Sequence, residues 1–184
     1  MKPIVKIACL LVVGFGAAFA QQAKPSGGGA ATAFTLTSSA FAPGAAIPEQ
    51  YSCKSADTAP ALEWSGAPAN VASFALIMDD PDAPGGTWVH WVVWNLPAAA
   101  QSLPQGVPKH EQLDNGARQG KNSFRKTGYN GPCPPAGASH RYFFRLYALD
   151  GKLDLAAGAS RSQLDAAMKG HVLAQAEYMG TFHK

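Results

Sequence analysis

The sequence predicts a mainly β protein: an antiparallel β-sandwich that ends with one C-terminal helix and a short closing strand. Three observations predict it. The chain has 19 glycines and 14 prolines, which divide it into short segments separated by turns. Most segments have the two-residue alternation, or the aromatic and β-branched composition, that is typical of strands. Only one stretch, late in the chain, has apolar residues at helical spacing.

Four segments carry the strand prediction. Residues 34–37 alternate apolar and polar side chains, and residues 73–78 form a short apolar run. Residues 88–96 are rich in aromatic and β-branched side chains, which are strong strand formers. The three tryptophans of this segment are expected to fill both sides of the sandwich, with a sticky surface as the alternative. In residues 141–149 both faces of the predicted strand carry apolar side chains, so this strand is expected to be central. His140 would share a face with the residues at even positions of that strand.

The helix prediction starts at Ser160 and Gln163, whose spacing matches a capping box. Apolar residues then continue at helical spacing as far as residues 175–176, which places His171 on the helix. After the helix, residues 178–182 alternate again and predict the short closing strand.

Residues 1–20 have the layout of a cleavable secretory signal. Lys2 and Lys6 lead into an apolar run, and Ala18 and Ala20 occupy the small-residue positions that cleavage after Ala20 requires. The uncharged part of this run is shorter than the roughly 20 residues that a membrane-spanning helix needs. The mature protein is therefore expected to be periplasmic or secreted.

Behind the signal, residues 21–32 are rich in Gly, Ala and Ser and are expected to form a flexible lead-in. Residues 33–184 are then long enough for a single domain. The formal net charge is +3, and it falls to +1 (3 minus 2) once the two lysines of the signal are removed. A broad basic surface for nucleic acid or an anionic membrane is therefore not expected.

Two cysteines, Cys53 and Cys133, lie beyond the proposed cleavage point. An exported protein enters an oxidising compartment, where paired thiols tend to form disulfides. A Cys53–Cys133 disulfide is therefore the hypothesis. Two buried free thiols are the alternative, because cysteine is among the residue types most often buried.

Titratable side chains concentrate in two segments, residues 79–95 and residues 128–142. Each segment has one histidine, His90 or His140, beside a loop that prolines stiffen. A histidine in an aromatic strand is most often a core residue, but stiff loops on a rigid frame are also where binding sites form. Two such placements favour a site made by both segments.

Three acids compete for a role in that site. Asp79 can simply end its strand, and Asp82 can form a turn with its own backbone. Asp80, directly before Pro81, is therefore the better candidate. The remaining histidines are given no role: His110, His171 and His183.

The two segments closely resemble the signatures of the phosphatidylethanolamine-binding protein family, in its bacterial, Raf kinase inhibitor-like branch. The matching motifs are Asp80-Pro81-Asp82-Ala83-Pro84, His90-Trp91, Asn95-Leu96-Pro97, Gly131-Pro132-Cys133-Pro134-Pro135, His140-Arg141-Tyr142 and Leu146-Tyr147-Ala148-Leu149-Asp150. Weaker similarity covers nearly the whole mature chain. Arg125 and Asn130 stand where the family pattern has small or glycine residues, and Arg125 could add a cation at the pocket rim.

The resemblance implies two antiparallel sheets with C-terminal helical structure and a pocket for phosphate-bearing or other small anions, without a cofactor or metal. Residues 131–135 would form one wall. The ligand-binding residues it implies are Asp80, Asp82, His90, Gly131, Pro132, Cys133, Pro134, His140 and Tyr142. Some eukaryotic members regulate kinases or proteases, so a kinase or protease partner is one further expectation.

The function that this pattern favours is the binding of a small anionic ligand of the phospholipid headgroup type. Two imidazole N–H groups that converge on one hollow suit a phosphate, while Asp80 would orient a histidine or meet the ammonium end of a zwitterion. The alternative is a metal- or histidine-dependent hydrolase that uses Asp80, His90 and His140. Ser139 is a poor nucleophile candidate, because neighbours on a strand face opposite sides and no Gly-x-Ser-x-Gly motif is present.

Overall fold

The computed structural model describes residue 1 and residues 33–184, and the latter belong to one compact unit. The proposed signal and the proposed lead-in at residues 21–32 lie outside the described residues. Within the described part of the chain, no helix combines the length and apolar character needed to cross a bilayer.

Within residues 33–184, eight strands form two antiparallel sheets, which confirms the predicted fold class. The strands are β1 (Thr35–Thr37), β2 (Leu62–Ser65), β3 (Ser73–Asp80), β4 (Trp88–Pro97), β5 (Ser102–Leu103), β6 (Arg118–Gln119), β7 (Ser139–Leu149) and β8 (Val172–His183). The small sheet has the order β1-β2-β5 and the large sheet the order β6-β4-β3-β7-β8. A single turn of 3-10 helix at Glu49–Tyr51 follows β1, and one α-helix, α1 (Arg161–Met168), precedes β8.

The main hydrophobic core lies between the two sheets. Leu36 and Trp64 from the small sheet belong to one buried cluster with Leu76, Val93 and Phe144 from the large sheet. Alternation along each strand supplies these side chains, because every second residue points to the same face. This core gives the large sheet a rigid frame for the residues at the ends of its strands.

A second core covers the opposite face of the large sheet. Ile77, Val92 and Trp94 belong to it together with Leu164 and Met168 of α1. Because both of its faces are covered, β3 is buried along its whole length. The same packing explains why β7, which pairs with β3 on one side and β8 on the other, has apolar residues on both faces.

Helix α1 begins where the sequence predicts and ends earlier. Ser160 and Gln163 form the capping box, and α1 spans Arg161–Met168. The chain then turns at Gly170, whose φ of +84° favours glycine, and His171 lies in this turn, not on the helix. The predicted helical residues 172–176 belong instead to β8, which has 12 residues and pairs along the full length of β7. Backbone pairing with a long neighbour therefore overrides the local helical spacing.

Candidate functional site

The order of strands in the large sheet brings the two predicted segments together. Strands β4 and β7 both run antiparallel to β3 and flank it on either side. Both therefore begin at the edge where β3 ends, at Asp80. The loop before β4 and the loop before β7 meet at this edge, and the end of β8 arrives there as well, because His140 pairs with Phe182.

A β-bulge in β4 points His90 toward this site. Met78 pairs with Trp91, but the next residue of β3, Asp79, pairs with Val89, so His90 is an extra residue in its strand. Without the bulge, simple alternation would place His90 and Trp91 on opposite faces. With it, the His90 ring lies edge-on to the Tyr142 ring of β7, with 5.2 Å between the centroids.

Asp80 anchors His140. The Nδ1 atom of His140 lies 2.8 Å from the Oδ2 atom of Asp80, and both side chains are buried. The other carboxylate oxygen of Asp80 accepts a hydrogen bond of 2.8 Å from the backbone N–H of Asp82. A carboxylate on Nδ1 fixes the orientation of the ring. Of the two roles expected for Asp80, the observed contacts match the orienting one.

A backbone carbonyl anchors His90. Its Nδ1 atom lies 2.6 Å from the carbonyl oxygen of Asn130. A carbonyl can only accept, so Nδ1 carries the proton and the Nε2 atom of the neutral ring is an acceptor. Burial lowers the pKa of His90 below its ordinary value, against the opposing effects of the Asn130 hydrogen bond and the Asp80 charge. His90 is therefore neutral near pH 7 when the site is empty.

Both histidines line a cavity of about 360 Å³. Neither Nε2 atom has a hydrogen-bond partner among residues 33–184, so both are available to a ligand. Trp88 and Phe124 form an aromatic side of the cavity, and Lys184 brings an ammonium group to it. The complete lining is Asp80, Ala83, Pro84, Trp88, His90, Phe124, Cys133, Pro134, Pro135, His140 and Lys184.

Tyr142 lies beneath the histidines and is fully buried. Burial and the neighbouring charge of Asp80 raise the pKa of Tyr142 well above its usual value, so its hydroxyl stays protonated. That hydroxyl has no aligned hydrogen-bond partner among the described residues. A buried donor without a partner carries an energetic cost, which a polar ligand or a water molecule in the site can relieve.

The wall of the cavity between Gly131 and Pro134 is tied to the segment around Cys53. Cys53 and Cys133 form a disulfide with a Cα–Cα distance of 5.4 Å, and the backbone N–H of Cys53 donates to the carbonyl of Pro132 at 3.1 Å. Any Cβ atom at position 131 would overlap the carbonyl oxygen of Tyr51, so only glycine fits there. These contacts hold the wall in one position.

Several residues predicted to bind the ligand lie behind the lining. Asp82 faces Arg141, which donates to its carboxylate from Nε at 2.9 Å and from Nη2 at 2.7 Å. This pairing lowers the pKa of Asp82 to about 2 and ties the loop after β3 to β7. Gly131 and Pro132 shape the wall from behind. Arg125 is exposed and does not line the cavity.

Asp79 lies on the other face of the large sheet from Asp80. Arg145 contacts one of its oxygens, and the Nη1 atom of Arg161 lies 2.8 Å from the other. Asp79 therefore pairs with two arginines on this face, each of which has a second acidic partner, and takes no part in the cavity. Ser139 is exposed while its neighbour His140 is buried, as alternation requires, so the two cannot share a proton.

Metal ligation has no ready arrangement at this site. Within the described part of the chain, no three side chains of His, Cys, Asp or Glu are grouped so that they could hold a metal ion. Asp80 and the Nδ1 atom of His140 are already bonded to each other. The metal-dependent form of the hydrolase alternative therefore gains no support from residues 33–184.

Five lining residues belonged neither to the predicted ligand-binding set nor to the predicted wall: Ala83, Pro84, Trp88, Phe124 and Lys184. Trp88 was expected to pack in the core, but it is 39% exposed and forms the rim with Phe124, 5.4 Å away between ring centroids. Lys184 reaches the cavity because β8 pairs to the end of β7. The sequence offered no signal for either contact, since both depend on strand register.

Comparison with known proteins places this fold in a family. The family model described as phosphatidylethanolamine-binding protein matches residues 37–183. The chain belongs to the phosphatidylethanolamine-binding protein family. A UPF0098 protein of Methanothermobacter thermautotrophicus is 46% identical over 149 residues, covering 81% of this chain and 98% of that protein. A UPF0098 protein of Pyrococcus horikoshii is 42% identical over 189 residues, covering 100% and 91%.

Solved structures of the phosphatidylethanolamine-binding protein family agree with the fold. The crystal structure of a putative family homologue from Chlamydia trachomatis matches with a TM-score of 0.76 and 43% identity, over 83% of this chain and 98% of that one. Escherichia coli YbcL, described as a member of the mammalian family, matches with a TM-score of 0.77 and 33% identity, over 82% and 98%. Membership supports a ligand-binding protein in the general sense.

Proposed function

We propose that this protein binds a small anion of the phosphate type, such as a phospholipid headgroup carries, in the cavity between His90 and His140. One observation carries the proposal: each imidazole is anchored through Nδ1, which leaves both Nε2 atoms for one shared hollow. Lys184 adds a fixed positive charge to the lining. Charge-assisted hydrogen bonds from such groups are the usual means of holding a phosphate.

The cavity acquires a net positive charge only when a histidine takes up a proton. Asp80 contributes one negative charge and Lys184 one positive charge, so an empty cavity with neutral imidazoles has no net charge. Protonation of His140 beside Asp80 provides a donor at Nε2, and protonation of His90 provides a second. An anion favours the protonated form of His90, so anion binding is coupled to proton uptake by that ring.

The wall residues suit a headgroup with an apolar attachment. Apolar side chains surround the polar end of the cavity: Pro84, Trp88, Phe124, Pro134 and Pro135. Apolar rims of this kind bury the uncharged part of a ligand while a few polar groups fix its orientation. Phosphoethanolamine and related phosphate monoesters therefore match both parts of the site.

Isothermal titration calorimetry tests the proposal with phosphoethanolamine, inorganic phosphate and ethanolamine as separate probes. Both phosphates should bind and ethanolamine should not. His140→Ala should weaken phosphate binding about tenfold or more, because it removes a charge-assisted hydrogen bond. Equal affinity in this variant, or no heat with either phosphate, would overturn the proposal.

A matched pair of lysine variants tests the contribution of fixed charge. Lys184→Gln should weaken phosphate binding a few-fold at low salt, with the difference shrinking at high salt, because the lysine is exposed and screened. Lys169→Gln removes an equally exposed lysine that does not line the cavity and should leave binding unchanged. The same loss in both variants would assign the effect to net charge alone.

We also propose that the protein acts outside the cytoplasm. The layout of residues 1–20 and the pairing of Cys53 with Cys133 both support export to an oxidising compartment. Mass spectrometry of the protein from the periplasm or medium of a bacterial host should show the loss of residues 1–20. Recovery of the full-length chain from the cytoplasm would refute export. A kinase or protease partner stays a prediction.

A further inference from the structure

Asp57 has an unusual backbone conformation next to the cavity wall. Its φ is +51°, in the left-handed region that aspartate, asparagine and glycine tolerate better than other residues do. Asp57 follows Cys53 in the segment that the disulfide ties to the wall. It does not line the cavity itself.

The carboxylate of Asp57 is bound on two sides. On the inner side, Oδ1 accepts a hydrogen bond of 2.6 Å from the backbone N–H of Gly131, and Oδ2 accepts one of 2.9 Å from the side-chain amide of Asn130. On the outer side, Lys109 donates to Oδ2 at 2.8 Å. The side chain of Asp57 is 25% exposed and that of Lys109 is 42% exposed, so the inner contacts are the better shielded ones.

Asn130 connects Asp57 to His90. Its side-chain oxygen accepts a hydrogen bond of 2.8 Å from the side-chain amide of Asn122, and its side-chain nitrogen donates one to Asp57. The amide group of Asn130 is therefore held at both ends. The backbone N–H of Asn130 donates to the carbonyl of His90 at 3.1 Å. Its backbone carbonyl is the acceptor for Nδ1 of His90. The peptide between Asn130 and Gly131 therefore has the Asp57 carboxylate on its N–H and the His90 ring on its C=O.

We propose that Asp57 is the positioning residue of His90, holding the Asn130–Gly131 peptide so that its carbonyl fixes the tautomer and direction of the His90 ring. The two histidines of the cavity then have equivalent supports. Asp80 holds His140 directly, and Asp57 holds His90 through one peptide group. This inference rests on the proposed anion binding for its functional consequence, since a fixed His90 presents Nε2 to the ligand.

The charges around His90 give Asp57 a second effect. Asp80 and Asp57 are the acids that act on the ring, and Tyr142 from β7 and Phe124 both pack edge-on to it, with 5.2 Å and 5.3 Å between centroids. Burial lowers the pKa of His90, and the negative charges of Asp80 and Asp57 oppose that lowering. Removing the charge of Asp57 therefore disfavours the protonated ring that an anion needs.

The test compares Asp57→Asn with Lys109→Gln in the full chain. Asparagine tolerates the same φ, and its side-chain oxygen can still accept the hydrogen bond from the Gly131 N–H. Its side-chain nitrogen, however, would face the side-chain nitrogen of Asn130, and because both are donors this hydrogen bond would be lost. Lys109→Gln removes the outer ion pair and leaves the inner contacts intact. Proton–nitrogen NMR reports the tautomer of each histidine ring, and calorimetry reports the affinity for inorganic phosphate.

In Asp57→Asn we expect the Nδ1–H signal of His90 to weaken or exchange faster, while the signals of His140 stay as in the wild type. Phosphate affinity should fall about tenfold, the loss expected for one hydrogen bond to a charged group. Lys109→Gln should keep both readouts within about twofold of the wild type. A role for Asp57 in stability alone would lower the melting temperature without changing the His90 tautomer.

Asp57→Gly provides a second variant if the asparagine chain folds poorly, because glycine adopts this φ without strain. Unchanged His90 signals and unchanged phosphate affinity in a folded Asp57 variant would overturn the inference. The two proposals fail separately. A wild-type protein that binds no phosphate refutes the proposed function, whereas the NMR signals of His90 still decide the role of Asp57.

Discussion

The buried His90 predicts that anion binding weakens as the pH rises. In the empty site its Nδ1 proton is committed to the Asn130 carbonyl, so the neutral ring turns an acceptor, Nε2, toward the ligand. A fully ionised anion can hydrogen-bond to this atom only if the ring takes up a proton. Burial lowers the pKa of His90 in the free protein, and a bound anion raises it again.

The sign and the size of the effect follow from this coupling. Below the free-protein pKa of His90, which lies under 6.5, binding is strongest and independent of pH. Between that pKa and the higher pKa of the complex, the dissociation constant rises about tenfold per pH unit. The total change is the value of one charge-assisted hydrogen bond, about 1.5–3 kcal/mol, or roughly 10- to 100-fold in affinity.

Sulfate is the suitable probe, because it does not titrate in this range and phosphate does. Calorimetry from about pH 5 to pH 8 should show the rising dissociation constant in the wild type and a much flatter profile in His90→Gln, whose amide donates at every pH. Repeating the titrations in buffers of different ionisation enthalpy should show uptake of about one proton in the wild type. A slope that is the same in both proteins would refute the assignment to His90.

Three further predictions concern stability. Folding lowers the pKa of His90, so below pH 6.5 the unfolded chain binds more protons than the folded protein does. Thermal denaturation should therefore show that stability decreases as the pH is lowered below 6.5, and that it decreases less in His90→Gln. The Cys53–Cys133 disulfide joins residues that are 80 positions apart in the chain. Replacing both cysteines by serine should lower the free energy of unfolding, measured by urea titration, by about 2–4 kcal/mol. Dithiothreitol should then have no effect on this double variant. Gly131→Ala forces a Cβ against the Tyr51 carbonyl, so it should lower the free energy of unfolding by about 1–3 kcal/mol and displace the wall. Gly85→Ala adds a Cβ in open space in the other pocket loop, so it should change the free energy of unfolding by less than about 0.5 kcal/mol.

Local sequence patterns predicted much of the fold because their signals are local. The two-residue alternation of residues 141–149 predicted which side chains of β7 share a face: the even-numbered side chains are buried in the main core, and the odd-numbered ones from Phe143 to Tyr147 are half-buried. The capping box at Ser160 predicted the start of α1, because its hydrogen bonds lie within four residues. The predicted end of α1 was wrong, because the segment that follows it pairs with β7, more than twenty residues away in the chain.

Local sequence patterns also predicted part of the site. The prolines and glycines around Asp80 and His140 marked stiff loops, and the structure joins these two side chains by a hydrogen bond. The tryptophans were expected to fill both sides of the sheet, and Trp91 and Trp94 do lie in the two different cores. Trp88 instead stands at the rim of the cavity, because it comes before the bulge and beyond the edge of the core.

The sequence by itself determined the fold class, the two loops and the chemical groups that they offer, since residue type and short spacing encode these directly. The tertiary structure alone decided which groups meet. It introduced the bulge that turns His90 to the side of His140, brought Lys184 to the cavity through the register of β8, and put Asp57 behind the wall. Contacts between residues far apart in the chain depend on strand order and register, which local patterns do not encode.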